Sequence, residues 1–63
     1  MINKKAYTHY RDKGFTWEHW FPGEYLLMVN TKTMHRARLY LHGGVWETTT
    51  GEYRKVEEFD GSE

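Results

Sequence analysis

The chain has 63 residues, no cysteine and a formal net charge of zero at pH 7. This length allows one small domain, and the lack of cysteine excludes disulfides and thiolate metal sites. No apolar run approaches the roughly 18–20 residues of a membrane helix, so we expect a cytoplasmic protein without a membrane partner. Three Trp, five Tyr and three Phe supply large rings. Each ring buries on the order of 150–250 Å², which compensates for the short chain.

The N-terminal segment 3–14 admits two interpretations. As a helix it would be capped by Asn3 and ended by Gly14. Its apolar stripe would be Ala6, Tyr7 and Tyr10. As a hairpin, a DKG turn would join KKAYTHY (4–10) to FTWEHWF (15–21), in which the aromatic residues alternate with the period of a strand. The β propensity of Tyr, Thr, Trp and Phe favours the hairpin, but the pattern leaves both alternatives open.

Beyond a turn at Pro22-Gly23, the sequence predicts a run of short strands separated by polar or glycine-rich turns. The predicted strands are EYLLMVN (24–30), MHRARLYLH (34–42), VWETT (45–49) and EYRKVEEF (52–59). The predicted fold is therefore mainly β, a small antiparallel meander of about four strands. The N-terminal hairpin or short helix would complete it to a small barrel or a half-open sheet.

The turns predict a register for this meander. A two-residue loop at Gly43-Gly44 pairs Leu41 with Trp46, and a three-residue loop at 31–33 pairs Leu27 with Ala37. The predicted inner face is Tyr25, Leu27, Val29, Ala37, Leu39, Leu41 and Trp46. The last hairpin, around Thr50-Gly51, is less regular. Val56 and Phe59 have opposite parity, so the final strand is bulged or ends before Phe59.

Charge is unevenly spread along the single domain. Residues 1–56 carry nine Lys and Arg against five Asp and Glu, whereas residues 57–63 carry four acids and no base. A short acidic tail therefore follows a mildly basic body. We expect this tail to be solvated and to aid solubility; the alternative is that it shields a basic face.

The sequence contains no recognisable catalytic or metal motif. The four histidines match no metal-ligand spacing, and His35 and His42 stand too far apart on one strand to share an ion. The only serine, Ser62, lies in the acidic tail, and Glu57 and Glu58 stand where they cannot be desolvated into an acid–base pair. We expect no cofactor, no metal and no enzymatic activity.

The outer side of the second predicted strand combines cations with an aromatic ring. Arg36, Arg38 and Tyr40 project away from Leu39, and Lys32 lies in the adjoining loop. Trp20 has opposite parity to Trp17, so it is either exposed near the Pro22-Gly23 turn or covered by a chain terminus in a sheet with a core on both faces. Tyr, Trp and Arg are enriched among residues that dominate protein interfaces. The predicted partner-binding residues are Arg36, Arg38, Tyr40, Trp20 and Lys32.

From Phe21 onward the order of motifs is a Pro-Gly turn, the strand EYLLMV, a polar turn, the strand HRARLYL, then GGVW and VEEF. This order resembles small domains of unknown function that are common in phage and prophage genomes, over roughly residues 21–60. Phe59 stands where those domains tend to have Trp, and the Pro-rich tail that often follows them is absent. The resemblance implies an accessory protein that modulates a host or phage macromolecule, and it supplies no catalytic residues.

The sequence therefore predicts a small non-enzymatic binding or regulatory protein that acts on a host or phage protein. One alternative is a nucleic-acid-binding β module, in which cations follow the phosphates and rings stack on bases. Another is a homo-oligomeric assembly subunit, for example a homodimer formed through exposed strand edges.

Overall fold

The computed structural model describes residues 2–42, 44–48 and 51–57. One helix precedes five strands: α1 (Lys4–Asp12), β1 (Thr16–Phe21), β2 (Tyr25–Asn30), β3 (His35–Tyr40), β4 (Val45–Thr48) and β5 (Tyr53–Lys55). All strand pairs are antiparallel, and the order in the sheet is the order in the chain. The mainly β meander is confirmed. The barrel alternative is wrong, because β1 and β5 form the two edges of an open sheet.

The N-terminal segment is a helix. Asn3 caps it, since Oδ1 accepts hydrogen bonds from the backbone N–H groups of Lys5 and Ala6 at 3.0 and 3.2 Å. Gly14, at φ +100°, follows the helix in a conformation that L-residues rarely adopt. The strand interpretation of residues 4–10 is wrong. Capping and the burial of one apolar stripe outweigh weak β propensities, because packing supplies most of the stability of a short helix.

Strand β1 forms within residues 15–21, which is the second half of the predicted hairpin, but a bulge at Glu18 interrupts its alternation. The register shift places Trp17 opposite Met28 and Trp20 opposite Leu26. Met28 and Leu26 lie on the same face of β2, so both tryptophans lie on that face too. The expectation that Trp17 and Trp20 have opposite parity is therefore wrong, because a bulge adds one residue to a strand without a partner.

The turn between β2 and β3 is one residue longer than predicted. Asn30 pairs with His35, so four residues form the turn and Leu27 lies opposite Arg38 rather than Ala37. Met34 makes this possible by adopting φ +66°, and its N–H donates to the Asn30 carbonyl at 2.6 Å. A slip of one residue turns a whole strand over.

The β3–β4 connection is also longer than the two-residue loop at Gly43-Gly44. Leu39 pairs with Val45, and Arg38 with Trp46, so the predicted pairing of Leu41 with Trp46 is wrong. Leu41 lies beyond the end of β3. Gly43, the predicted turn residue Thr50, the strand end near Phe59 and the acidic tail beyond Glu57 lie outside the described residues.

The core lies between α1 and one face of the sheet. Its buried members are Ala6, Tyr10, Phe15, Leu26, Met28, Ala37, Leu39 and Val45. Ala37 and Leu39 are therefore confirmed as inner residues. The remaining predicted inner residues of β2 and β4 lie on the opposite face, because the longer turns change their register relative to β3. They are Tyr25, Leu27, Val29 and Trp46.

The helix is fastened to the sheet by a polar contact as well as by packing. Tyr10 is fully buried, its ring meets Phe15 edge to face at 5.0 Å, and its hydroxyl donates to Glu47 Oε1 at 2.8 Å. Glu47 belongs to β4, so this hydrogen bond joins α1 to the far half of the sheet. It also satisfies the phenol in a position where an unpaired hydroxyl would be costly.

Candidate protein-binding face

Within the part of the chain that the structure describes, the one helix packs on one face of the sheet and leaves the second face without a helix. We call it the open face, because α1 covers the other side and no other described element packs on it. The strand registers assign to it the side chains of Thr16, Glu18, His19, Phe21, Tyr25, Leu27, Val29, Arg36, Arg38, Tyr40, Trp46, Thr48, Tyr53 and Lys55. Most of these side chains are half-buried against one another.

A row of aromatic rings crosses one end of the open face. Phe21, Tyr25 and Tyr40 are direct cross-strand neighbours on β1, β2 and β3. The ring centroids of Phe21 and Tyr25 are 4.6 Å apart, and those of Tyr25 and Tyr40 are 4.8 Å apart. His19 extends the row, with its ring 4.5 Å from that of Phe21. Such cross-strand aromatic pairs stabilise a sheet, so the row is fixed before any partner arrives.

Arg38 stands at the centre of the open face. Its guanidinium carbon lies 4.0 Å from the ring centroid of Tyr53 and 5.0 Å from that of Tyr25. Nη1 donates to the hydroxyl of Tyr40 at 3.2 Å. This hydrogen bond raises the pKa of Arg38 above its ordinary value, although partial burial acts in the opposite direction. The open face therefore holds a permanent positive charge within a tyrosine cluster.

A second arginine on the open face forms an ion pair. Arg36 Nε donates to Glu18 Oε1 at 3.2 Å, and each of the two side chains is 37% exposed. Glu18 is the bulge residue of β1, so the bulge delivers the carboxylate to this position. Beneath the long side chains, Val29 and Thr48 are buried although they lie on the open face. Arg36 is the cross-strand neighbour of both buried residues.

The structure brings together three of the five predicted site residues. Arg36, Arg38 and Tyr40 lie on the open face, side by side on β3. Lys32 is exposed in the β2–β3 turn, where its backbone N–H donates to Asn30 Oδ1. Trp20 belongs to the helix side of the sheet and does not join this set.

Sequence reasoning missed several neighbours of Arg38. The predicted inner face includes Tyr25 and Trp46, and the sequence pattern gives Tyr53 no role, yet all three lie next to Arg38. Their aromatic character was visible in the sequence. The length of the two turns decides which face they occupy, and the turn residues alone do not specify it.

A separate aromatic surface lies on the helix side of β1. Trp17 is 60% exposed and Trp20 is 37% exposed. The helix packs toward β3 and β4, as the Tyr10–Glu47 hydrogen bond shows, and leaves these two rings open. They are separated from the open face by the thickness of the sheet.

Within the described ranges, no three His, Asp or Glu residues come together as metal ligands. No helix in the described part of the chain is long and apolar enough to cross a membrane. Searches for a matching family model, a similar curated protein and a similar solved structure found no match to this chain. The interpretation of function therefore depends on the geometry of the open face.

Proposed function

We propose that this chain is a small non-enzymatic binding protein that modulates a protein partner through the open face. The observation that supports this most is Arg38, held between Tyr25 and Tyr53 and bonded to Tyr40. Arginine and tyrosine in a preordered, partly desolvated cluster are the residue types that dominate binding energy at protein interfaces. The resemblance to small phage and prophage domains agrees with a modulator of a host or phage protein.

The rigidity of the cluster also supports this proposal. A side chain that is already fixed in the free protein loses little conformational entropy when it enters an interface. The aromatic row and the Arg38 cluster are held by ring contacts and a hydrogen bond across three strands. The open face therefore offers a partner a large preformed surface of rings with cations at fixed positions.

The same row of rings favours a second candidate, a module that binds single-stranded nucleic acid. Phe21, Tyr25 and Tyr40 are spaced along a sheet that also carries Arg36 and Arg38. Phosphate contacts would make the affinity fall steeply and linearly with the logarithm of the salt concentration. Contacts with a protein through rings would respond to salt much more weakly.

The test is an affinity capture from lysate of the native source, with and without nuclease, using the wild-type chain and two single variants. Tyr40→Ala removes a ring of the open face, and Trp17→Ala removes an exposed ring on the helix side. We expect one protein to be retained after nuclease treatment by the wild type and by Trp17→Ala, and lost with Tyr40→Ala. Circular dichroism confirms that each variant is folded.

Two results would contradict the proposal. Retention that survives Tyr40→Ala but disappears with Trp17→Ala would move the binding surface to the helix side. Recovery of nucleic acid, with loss of all retained proteins after nuclease treatment, would establish the second candidate instead.

A further inference from the structure

The open face has an excess of positive charge. Two arginines, Arg36 and Arg38, lie among its described side chains, and the only carboxylate among them is that of Glu18. That carboxylate is already paired with Arg36. A partner that matches this surface electrostatically must therefore bring negative charge, since complementary charges favour encounter and exclude wrong partners.

Arg36 retains donors for such a partner. Its hydrogen bond to Glu18 uses Nε, and its Nη nitrogens donate no hydrogen bond to any residue that the structure describes. A guanidinium presents five N–H donors in a planar fork, and its Nη edge fits the two oxygens of a carboxylate. Because Arg36 is partly exposed, an incoming carboxylate can reach this edge.

Glu18 competes with a partner carboxylate for Arg36, because it already forms an ion pair with that guanidinium. An exposed ion pair contributes little to stability, since salt and water screen it. Exchanging the Glu18 carboxylate for one from a partner therefore costs the fold little. The bulge supports this interpretation, since it is what turns Glu18 onto the open face.

The aromatic row beside Arg38 fits apolar side chains better than it fits stacked bases. The rings of Phe21, Tyr25 and Tyr40 lean on each other at interplanar angles of 35° and 47°. Each ring thus covers part of the face of its neighbour, which leaves less room for a base to stack than isolated rings would leave. Large apolar side chains can pack on such a tilted surface without needing a free ring face.

We infer that the open face takes an acidic peptide segment in which carboxylates stand next to large apolar side chains, and that Glu18 occupies Arg36 until a partner carboxylate displaces it. This inference rests on the proposed function and names the chemistry of the partner. Arg36 receives the carboxylate, Arg38 supplies a fixed charge, and the aromatic row receives the apolar side chains.

The test measures fluorescence anisotropy with three labelled probes on the folded full chain. The first is a short peptide of Glu and Phe, the second has Gln in place of Glu, and the third is an oligothymidylate. We expect the Glu peptide to bind tightest. Arg36→Gln should weaken it roughly tenfold, as expected for loss of a charged contact at an interface. Glu18→Gln should tighten it about three- to fivefold, because a competing ion pair of modest strength is removed.

The chain supplies a matched control pair on the helix. Arg11 and Asp12 form an exposed ion pair at 3.8 Å, away from the open face. Arg11→Gln and Asp12→Asn change the net charge by the same amounts as Arg36→Gln and Glu18→Gln. We expect both control variants to bind the Glu peptide as the wild type does, which separates a local effect from one of overall charge.

Three results would overturn the inference: equal binding of the Glu and Gln peptides, including no binding of either; weaker binding by Glu18→Gln; or tightest binding of the oligothymidylate with a steep dependence on salt. Failure of the proposed function has a different signature. If capture of a protein is lost with Tyr40→Ala but is unchanged by Arg36→Gln and Glu18→Gln, the proposed function stands and only the acidic nature of the partner is refuted. If capture is unaffected by Tyr40→Ala, both the proposed function and the acidic partner are refuted.

Discussion

At the scale of single residues, Arg38 organises the open face. Its guanidinium meets the rings of Tyr25 and Tyr53 and bonds to Tyr40 on its own strand. A planar guanidinium can stack on one ring and donate to another group at the same time, whereas an ammonium group is a point charge. This position therefore depends on arginine rather than on positive charge alone.

The corresponding prediction is that Arg38→Lys behaves like Arg38→Ala. We expect each variant to lower the free energy of unfolding by about 1–2 kcal/mol, since two cation–π contacts and one hydrogen bond are lost or weakened. Urea denaturation followed by circular dichroism measures this change. Arg54→Ala, at an exposed position on β5, serves as the control and should change stability little. Wild-type stability of Arg38→Lys would contradict the role of the guanidinium plane.

At the scale of elements, α1 determines which face of the sheet is covered. The helix is short, and its first turn contains no acidic residue that would favour the helix dipole. The start of the helix therefore depends on Asn3, whose Oδ1 accepts hydrogen bonds from two backbone N–H groups. The Nδ2 atom of Asn3 is buried without a hydrogen-bond partner among the described residues, so the amide nitrogen contributes nothing visible to the cap.

We predict that Asn3→Ala lowers the free energy of unfolding by about 1 kcal/mol, because the cap acceptor is lost. Asn3→Ser keeps an oxygen acceptor and removes the buried Nδ2, so it should retain most of the wild-type stability. Thermal and urea unfolding of the two variants provide the comparison. Equal losses in Asn3→Ala and Asn3→Ser would show that the cap is not what stabilises the start of α1.

The elements also show how far the sequence predicts this fold. The strands following Pro22-Gly23 and their antiparallel order are predicted correctly, because glycine turns and β-branched or aromatic runs mark them locally. The helix signals, Asn3 and Gly14, were visible but carried less weight than the propensities of the intervening residues. Packing of Ala6 and Tyr10 against the sheet decides between the two, and it depends on distant residues.

The side of the sheet on which each residue lies is less predictable. Met34 is not a residue expected at positive φ, yet it closes the four-residue β2–β3 turn. No local pattern marks the bulge at Glu18 either. The common face of Arg36, Arg38 and Tyr40 is predicted correctly because the three lie on one strand, where alternation alone sets the face. Which residues of β1, β2, β4 and β5 lie beside them depends on the strand registers, and the sequence does not specify these registers.

At the scale of the whole molecule, the two faces of one sheet carry different side-chain layers. The helix side holds the buried core of the domain. The open face holds a second, polar-aromatic layer in which rings and arginines are fixed by mutual contacts. We interpret this division as a compact support on one side and a preordered binding surface on the other. Trp17 and Trp20 are exposed on the helix side, away from the proposed binding surface. They can therefore serve as internal controls in a binding experiment.

The three tryptophans allow the most direct test, because Trp46 lies on the open face whereas Trp17 and Trp20 lie on the other. The chain is labelled with fluorotryptophan, and its fluorine NMR signals are assigned by single Trp→Phe variants. The retained partner protein is then added. We predict that the Trp46 signal shifts or broadens on binding while those of Trp17 and Trp20 keep their positions. Changes at Trp17 and Trp20 with an unaffected Trp46 would contradict binding at the open face.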